Sequence, residues 1–116
     1  KLHTVAQKLF NVKKEKWNLF QKDLYCLYRL SEISECFISN DTGPMHVAAA
    51  MGSRVVGLFG PNTPNRWHPI GKNNVSIYHK QECSPCIFPM TGEFPKCPFD
   101  SKCMKAISVQ EVLSHV

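Results

Sequence analysis

With 116 residues, 43% of them hydrophobic, the chain has room for one domain and enough apolar content for a core, which excludes an intrinsically disordered segment. No run of about 18 apolar residues is present, and the Lys-rich N-terminal stretch lacks the apolar centre of a signal peptide, so the composition points to the cytosol. Fourteen Lys and Arg against nine Asp and Glu leave a formal charge of +5, a balance that favours anionic partners such as nucleotides, phosphorylated glycans or an acidic membrane surface. The charge allows nucleic acid, but nothing in the sequence indicates a specific contact with it.

In chain order, Leu2, Val5, Ala6, Leu9 and Phe10 fall at helical spacing and predict an amphipathic helix packed on a sheet. A Lys-rich polar connector over 11–16 reads as a solvated face, and the run from Trp17 to Phe20 is a candidate short strand. Asp23 can cap a helix running to about Ser34, with Leu24, Leu27, Tyr28, Leu30 and Ile33 as its apolar face. Cys36, Phe37, Ile38 and Ser39 then form an apolar run bounded by turn formers, which suits a strand buried on both faces of a parallel sheet. Cys26 and Cys36 read as buried apolar residues.

The stretch 36–61 organises the rest. Asn40, Asp41, Thr42 and Gly43 are residue types that cap helices and tolerate unusual backbone angles, and Pro44 suits a first helical position because it has no amide hydrogen to satisfy. Met45, Val47, Ala48, Ala49, Ala50 and Met51 continue the helix with small side chains that allow close approach to a sheet, and Gly52 supplies a left-handed stop. Arg54, Val55, Val56, Gly57, Leu58 and Phe59 form the next strand, ended by Gly60 and Pro61. The alternation of helix and strand predicts right-handed crossovers and a parallel sheet, with ligands outside the carboxyl ends of the strands.

A helix start beside the end of a parallel strand directs free amides and a partial positive charge into the crevice, which suits a phosphate. Thr42 offers a hydroxyl, Gly43 lets a ligand approach the backbone, and His46 can aim an imidazole at the same place. Asp41 suits a capping or orienting role, toward Thr42 or His46, or a sugar hydroxyl. A capped core helix without a ligand accounts for the same residues equally well.

After Pro61, the segment from Asn62 to Pro69 has too many prolines for regular structure but brings Arg66, Trp67 and His68 together. Arg66 can fork onto a phosphate, and Trp67 reads as sealing the loop onto the domain rather than stacking on a ligand. Gly71 to Asn74 is a turn, and Val75, Ser76, Ile77 and Tyr78 alternate as a further strand. Residues 80–106 are Cys/Pro-rich and without period, with Cys83 and Cys86 in a C-x-x-C pair followed by Cys97 and Cys103. Four thiolates can hold zinc, but these gaps do not repeat the paired C-x-x-C of common ribbons. Reduced thiols packing an irregular loop are the favoured reading, zinc the second and disulfides the last. No cofactor is therefore expected. At the end, Ser108 and Glu111 form a capping box, with Val109, Val112, Leu113 and Val116 as the buried stripe.

The run SNDTGPMHVAAAMG followed by VVGLFGPNTPNRWHP resembles the donor-binding half of glycosyltransferase family 9, the ADP-heptose lipopolysaccharide heptosyltransferases and their relatives. The resemblance joins the D-T-G-P-M-H turn, the Ala-rich helix, the strand and the F-G-P-x-x-P loop in the right order, and similar cysteine-rich tails occur in some relatives. It implies an α/β, Rossmann-like parallel sheet with flanking helices, the C-terminal half of a GT-B fold. It also implies a donor site at Asp41, Thr42, Gly43, Pro44, His46 and Arg66, taking a nucleotide sugar such as ADP-heptose, with a glycolipid acceptor.

In this family the carboxylate that deprotonates the acceptor comes from an N-terminal domain without counterpart in 1–116. The resemblance therefore implies a single, truncated nucleotide-sugar-binding domain, inactive alone, in a cytoplasmic protein with at most peripheral contact to the inner membrane. Two other classes remain open: a nucleotide-binding module without catalysis, and a basic, metal-stabilised interaction domain.

Overall fold

The computed structural model describes residues 23–87 and 96–116, so the helix expected around 2–10 and the strand expected at 17–20 lie outside the described residues. Within them the order is α1 (Leu24–Ile33), β1 (Cys36–Asn40), α2 (Gly43–Ala50), β2 (Arg54–Phe59), α3 (Pro64–Trp67), β3 (Val75–Tyr78), α4 (Lys102–Lys105) and α5 (Val109–Leu113). The three strands form one parallel sheet in the order β1-β2-β3, with Ile38 beside Val56 and Leu58 beside Ile77. Parallel neighbours need crossover connections, and α2 supplies the first of them. The result is a small α/β unit consistent with a Rossmann-like fragment.

The core lies between α2 and one face of the sheet. Met45, Ala48, Val55 and Phe59 are fully buried there, with Phe37, Ala49, Trp67 and Tyr78 packed around them. Gly57 makes the close approach possible, because a Cβ at that position would stand 2.8 Å from Met45 Sδ and 3.0 Å from Phe59 Cε2. Gly52, at φ +89°, ends the α2 segment as the sequence implies and turns the chain into β2. The next turn is stitched by Asn74, whose Oδ1 accepts from the Val55 amide at 2.8 Å while its Nδ2 donates to the Ile70 carbonyl. That side chain extends the ladder just before β3 begins.

Several expectations are corrected. Asp23 caps α1, accepting from the Cys26 amide at 3.0 Å, but the broad apolar face buries only in part: Leu27, Tyr28 and Leu30 are half-buried, Leu24 and Ile33 are exposed, and Ser31 is the fully buried residue. The reason is a polar seam, in which the buried Ser53 hydroxyl donates to the Ser31 carbonyl where α1 comes nearest the body. Strand β1 is not buried on both faces. It is an outer strand of the described sheet, Phe37 packs toward α2, and Ile38 on the other face is 46% exposed. Cys26 and Cys36 are accordingly half-buried.

The proline-rich loop contains one helical turn, α3, because Pro64 occupies its first position, where no amide hydrogen is needed, and Thr63 Oγ1 accepts from the Asn65 amide at 3.3 Å. The irregular segment likewise contains α4. In α5, Ser108 Oγ accepts from the Glu111 amide at 3.1 Å, but the reciprocal half of the capping box is replaced by His79, whose Nε2 donates to the Glu111 carboxylate at 2.8 Å. Val109, Leu113 and Val116 are exposed rather than forming a buried stripe. Val109 and Leu113 share an apolar groove of about 300 Å³ with Ile38 and Leu58 on the second face of the sheet. Among the described residues, no helix is long and apolar enough to cross a membrane.

Two predictions follow from this packing. Gly57→Val drives a Cβ and two methyl groups against Met45 and Phe59 and is expected to destabilise the chain by about 1–3 kcal/mol, read from the urea midpoint. The hydrogen bond from His79 holds the Glu111 carboxyl below its ordinary value of 4.5, aided by the charge of the protonated ring and by the Ser108 cap. A depressed carboxyl pKa contributes stability above the ordinary value and loses it as pH falls. Resonances of 108–114 should therefore show α5 loosening below about pH 4.5, and Glu111→Gln should remove that transition.

Candidate functional site

The turn at the carboxyl end of β1 is tied to the sheet before it opens. The Asp41 amide donates to the Leu58 carbonyl at 3.2 Å, carrying the β1–β2 ladder one residue past the strand. Thr42 then takes extended angles, φ −150° and ψ 168°, as the N-cap of α2, and its carbonyl accepts from the Met45 amide at 3.0 Å. No side chain caps α2. The Thr42 hydroxyl points back instead, donating to the Asn40 carbonyl at 3.3 Å. Gly43 and Pro44 are exposed, and a Cβ built on Gly43 would meet nothing within 4 Å. The helix start thus faces open space, with its positive dipole end uncompensated by an acidic residue in the first turn.

Asp41 is placed differently from its expected roles. Its carboxylate neither caps α2 nor reaches Thr42 or His46 in the described hydrogen bonds; it accepts from Asn62 Nδ2 at 2.7 Å. That bond links the β1 turn to the loop after β2. Asn40 and Asp41 line a cavity of about 200 Å³ with Leu58, Gly60, Pro61, Ile87 and Met104. Asn62 had no assigned role in the sequence reading, although its position just after Gly60-Pro61 marks it as a turn residue able to reach back. Ile87 and Met104 carried no local signal at all. They arrive from the tail, where the Cys86 and Ile87 amides both donate to the Pro61 carbonyl, at 2.8 and 3.1 Å.

On the other side of the helix start, His46 meets Trp67 edge to face, with ring centroids 6.2 Å apart and planes at 60°. The exposed Arg66 guanidinium lies over the same indole, 5.0 Å from its centroid. Trp67 also packs on the core. This is the sealing role expected of it, and it fixes where Arg66 and His46 stand. His68 turns away to Ser76, 2.7 Å from Nδ1 to Oγ. The structure therefore brings Asp41 and Asn62 together as one polar group, stacks His46, Trp67 and Arg66 as a second, and leaves Thr42, Gly43 and Pro44 exposed at the helix start. Chemically, such an arrangement offers backbone amides and a guanidinium to an anion, and a carboxylate to a hydroxyl.

Residues 13–93 match the model of glycosyltransferase family 9 (heptosyltransferase). Two curated relatives, both named lipooligosaccharide heptosyltransferase 2, come from Campylobacter jejuni. The protein of serotype O:6 is 30% identical over 84 residues, covering 71% of this chain and 25% of the relative. That of serotype O:2 is 32% identical over 83 residues, covering 70% of this chain and 24% of the relative. The chain thus spans about a quarter of the length of these relatives, and no solved structure matches it. The matched region runs through the β1 turn, α2, β2 and the loop carrying Asn62, Arg66 and Trp67, and on that ground the chain belongs to glycosyltransferase family 9, the heptosyltransferase family.

Proposed function

We propose that this chain forms the donor side of a glycosyltransferase, the C-terminal half of a GT-B fold. In this reading it binds the diphosphate of a nucleotide sugar such as ADP-heptose, whose heptose is transferred to an acceptor of the lipopolysaccharide-core type. The observation that carries the reading is the uncapped, solvent-facing start of α2 at the carboxyl end of β1, in a chain of this family. The diphosphate lies against the amides following Thr42, within reach of its hydroxyl and of Arg66, with Pro44 shaping the first turn and His46 beside it. Asp41, steered by Asn62, takes a sugar hydroxyl. As the diphosphate leaves, the helix start and the guanidinium stabilise the charge that develops on it. The relatives' printed names supply the heptosyl and lipooligosaccharide parts of the proposal.

The acceptor must also be positioned and deprotonated, and together these contribute many powers of ten in rate. Of the candidate carboxylates, Asp41 is engaged by Asn62 and Asp100 pairs with Lys105, while Glu82 sits in the turn after β3 and Glu93 lies outside the described residues. The base is accordingly assigned to an acceptor-binding N-terminal domain. The complete enzyme then works without a metal in the transfer step, at the cytoplasmic face of the inner membrane, with only peripheral contact to it.

Two measurements test this reading. Titration with ADP should shift the amide resonances of Asp41 to His46, and Thr42→Ala should weaken binding by about 1–2 kcal/mol, the scale of one hydrogen bond to a charged group. Unchanged affinity in that variant would remove Thr42 from the site. In an assay of ADP release from ADP-heptose with a lipopolysaccharide-core acceptor, the 116-residue chain should be inactive, and its fusion to a matching N-terminal domain active. Acceptor-dependent turnover by the chain alone, lost in Asp41→Asn, would place the base here instead.

A further inference from the structure

The cavity beside Asp41 has two unlike borders. Asn40 and Asp41 supply a polar one at the end of β1, while Leu58, Pro61, Ile87 and Met104 supply an apolar one, around a space of about 200 Å³. Asn62 engages Asp41 Oδ2, but Oδ1 accepts no hydrogen bond among the described residues, and the Asn40 side chain takes part in none. One carboxylate oxygen and one amide group are left for a ligand. Leu58, Pro61, Ile87 and Met104 are each half-buried, so each keeps apolar surface that an occupant would cover.

Half of that apolar border comes from the tail. The Cys86 and Ile87 amides, both donating to the Pro61 carbonyl, fix Ile87 at the loop leaving β2, and Met104 is seated on Gly60, where a Cβ would collide with its Sδ. The tail cysteines take no part. Cys83, Cys86, Cys97 and Cys103 are free thiols around a neighbouring cavity of about 220 Å³, and among the described residues no three or more His, Cys, Asp or Glu are gathered closely enough to hold a metal ion. Met104 also lies beyond residues 13–93, which match the family model, so that part of the wall rests on this structure and not on the family match.

Size and chemistry narrow the occupant. Sites for drug-sized ligands run to about 300–1,000 Å³, so this space takes one ring of a nucleotide sugar and not the whole. The Asp41 carboxylate repels a phosphate, which the helix start and Arg66 attract instead. A base stacks best on an aromatic face, and no residue lining this cavity is aromatic. A sugar ring carries hydroxyls on its rim and C–H groups on its face, which matches the two borders. Resting on the donor-side reading above, we infer that the glycosyl group of the nucleotide sugar occupies this cavity, with its hydroxyls on Asp41 and Asn40 and its C–H face on Ile87 and Met104. These two tail residues are then determinants of sugar specificity. They select by contact, and no bond is made or broken at them.

The test compares ADP-heptose with ADP on the 116-residue chain, by calorimetry and by methyl resonances. The parent chain should bind ADP-heptose at least about tenfold more tightly than ADP, since one methylene's worth of contact in an apolar pocket is worth about that much. The Met104 methyl resonance should shift with ADP-heptose and stay in place with ADP. Ile87→Trp, which fills the cavity, should abolish the preference, and Ile87→Ala should reduce it, the readout in each being the ratio of the two affinities. No preference in the parent chain, a ratio unchanged in both variants, or a Met104 methyl that moves equally with both ligands would overturn the inference and leave the diphosphate site standing. A parent chain that binds neither ligand would overturn the donor-side reading, and this inference with it.

Discussion

Met45 sits fully buried over the bare backbone of Gly57, and the remaining described structure is arranged around that close approach. A helix with Ala48 and Ala49 on its inner side can come near a sheet only if the strand beneath offers no side chain at the crossing point, and β2 offers none there. The consequence is geometric. With α2 this low, its first turn is level with the carboxyl end of β1, so the helix start and the strand end share one crevice. Phe59 and Val55 flank the contact, and Phe37, Trp67 and Tyr78 close it from the sides.

The candidate site inherits its geometry from that crossing. Because β1 and β2 are parallel neighbours in fixed register, the turn after β1 and the loop after β2 leave the sheet at the same edge, and Asp41 meets Asn62 across the gap. Trp67 serves core and site together: its indole packs on the core while its faces and edge position Arg66 and His46. A substitution at Trp67 would therefore disturb the site through packing, without any direct contact between Trp67 and a ligand.

The tail is attached at the same edge. The Pro61 carbonyl accepts two amides from the turn carrying Cys86, the buried Ser84 bonds both the Gly60 carbonyl and Tyr78, and Met104 of α4 stands against Gly60. A segment with little regular structure thus supplies one wall of the cavity beside Asp41. Its attachment rests on a few hydrogen bonds and on α5, which the half-buried His79–Glu111 pair secures only modestly, since solvent still screens it.

The sequence by itself determined the local grammar of the central unit: β1, α2 and β2 follow from apolar runs, from Pro44 at a helix start and from Gly52 at a helix end, each a preference acting within a few residues. It also carried the family resemblance through the D-T-G-P-M-H turn, which the family match bears out. What local pattern could not decide was which apolar faces would find partners. Ile38, Ile33, Val109 and Leu113 have the spacing of core residues, yet they are exposed, because burial depends on what packs opposite and not on periodicity. Nor could spacing show that Asn62 would claim the Asp41 carboxylate, or that cysteines separated by ten and then five residues would meet around one cavity. Those contacts join segments about twenty residues apart, and only the sheet register and the folding back of the tail onto Gly60 and Pro61 bring them within reach.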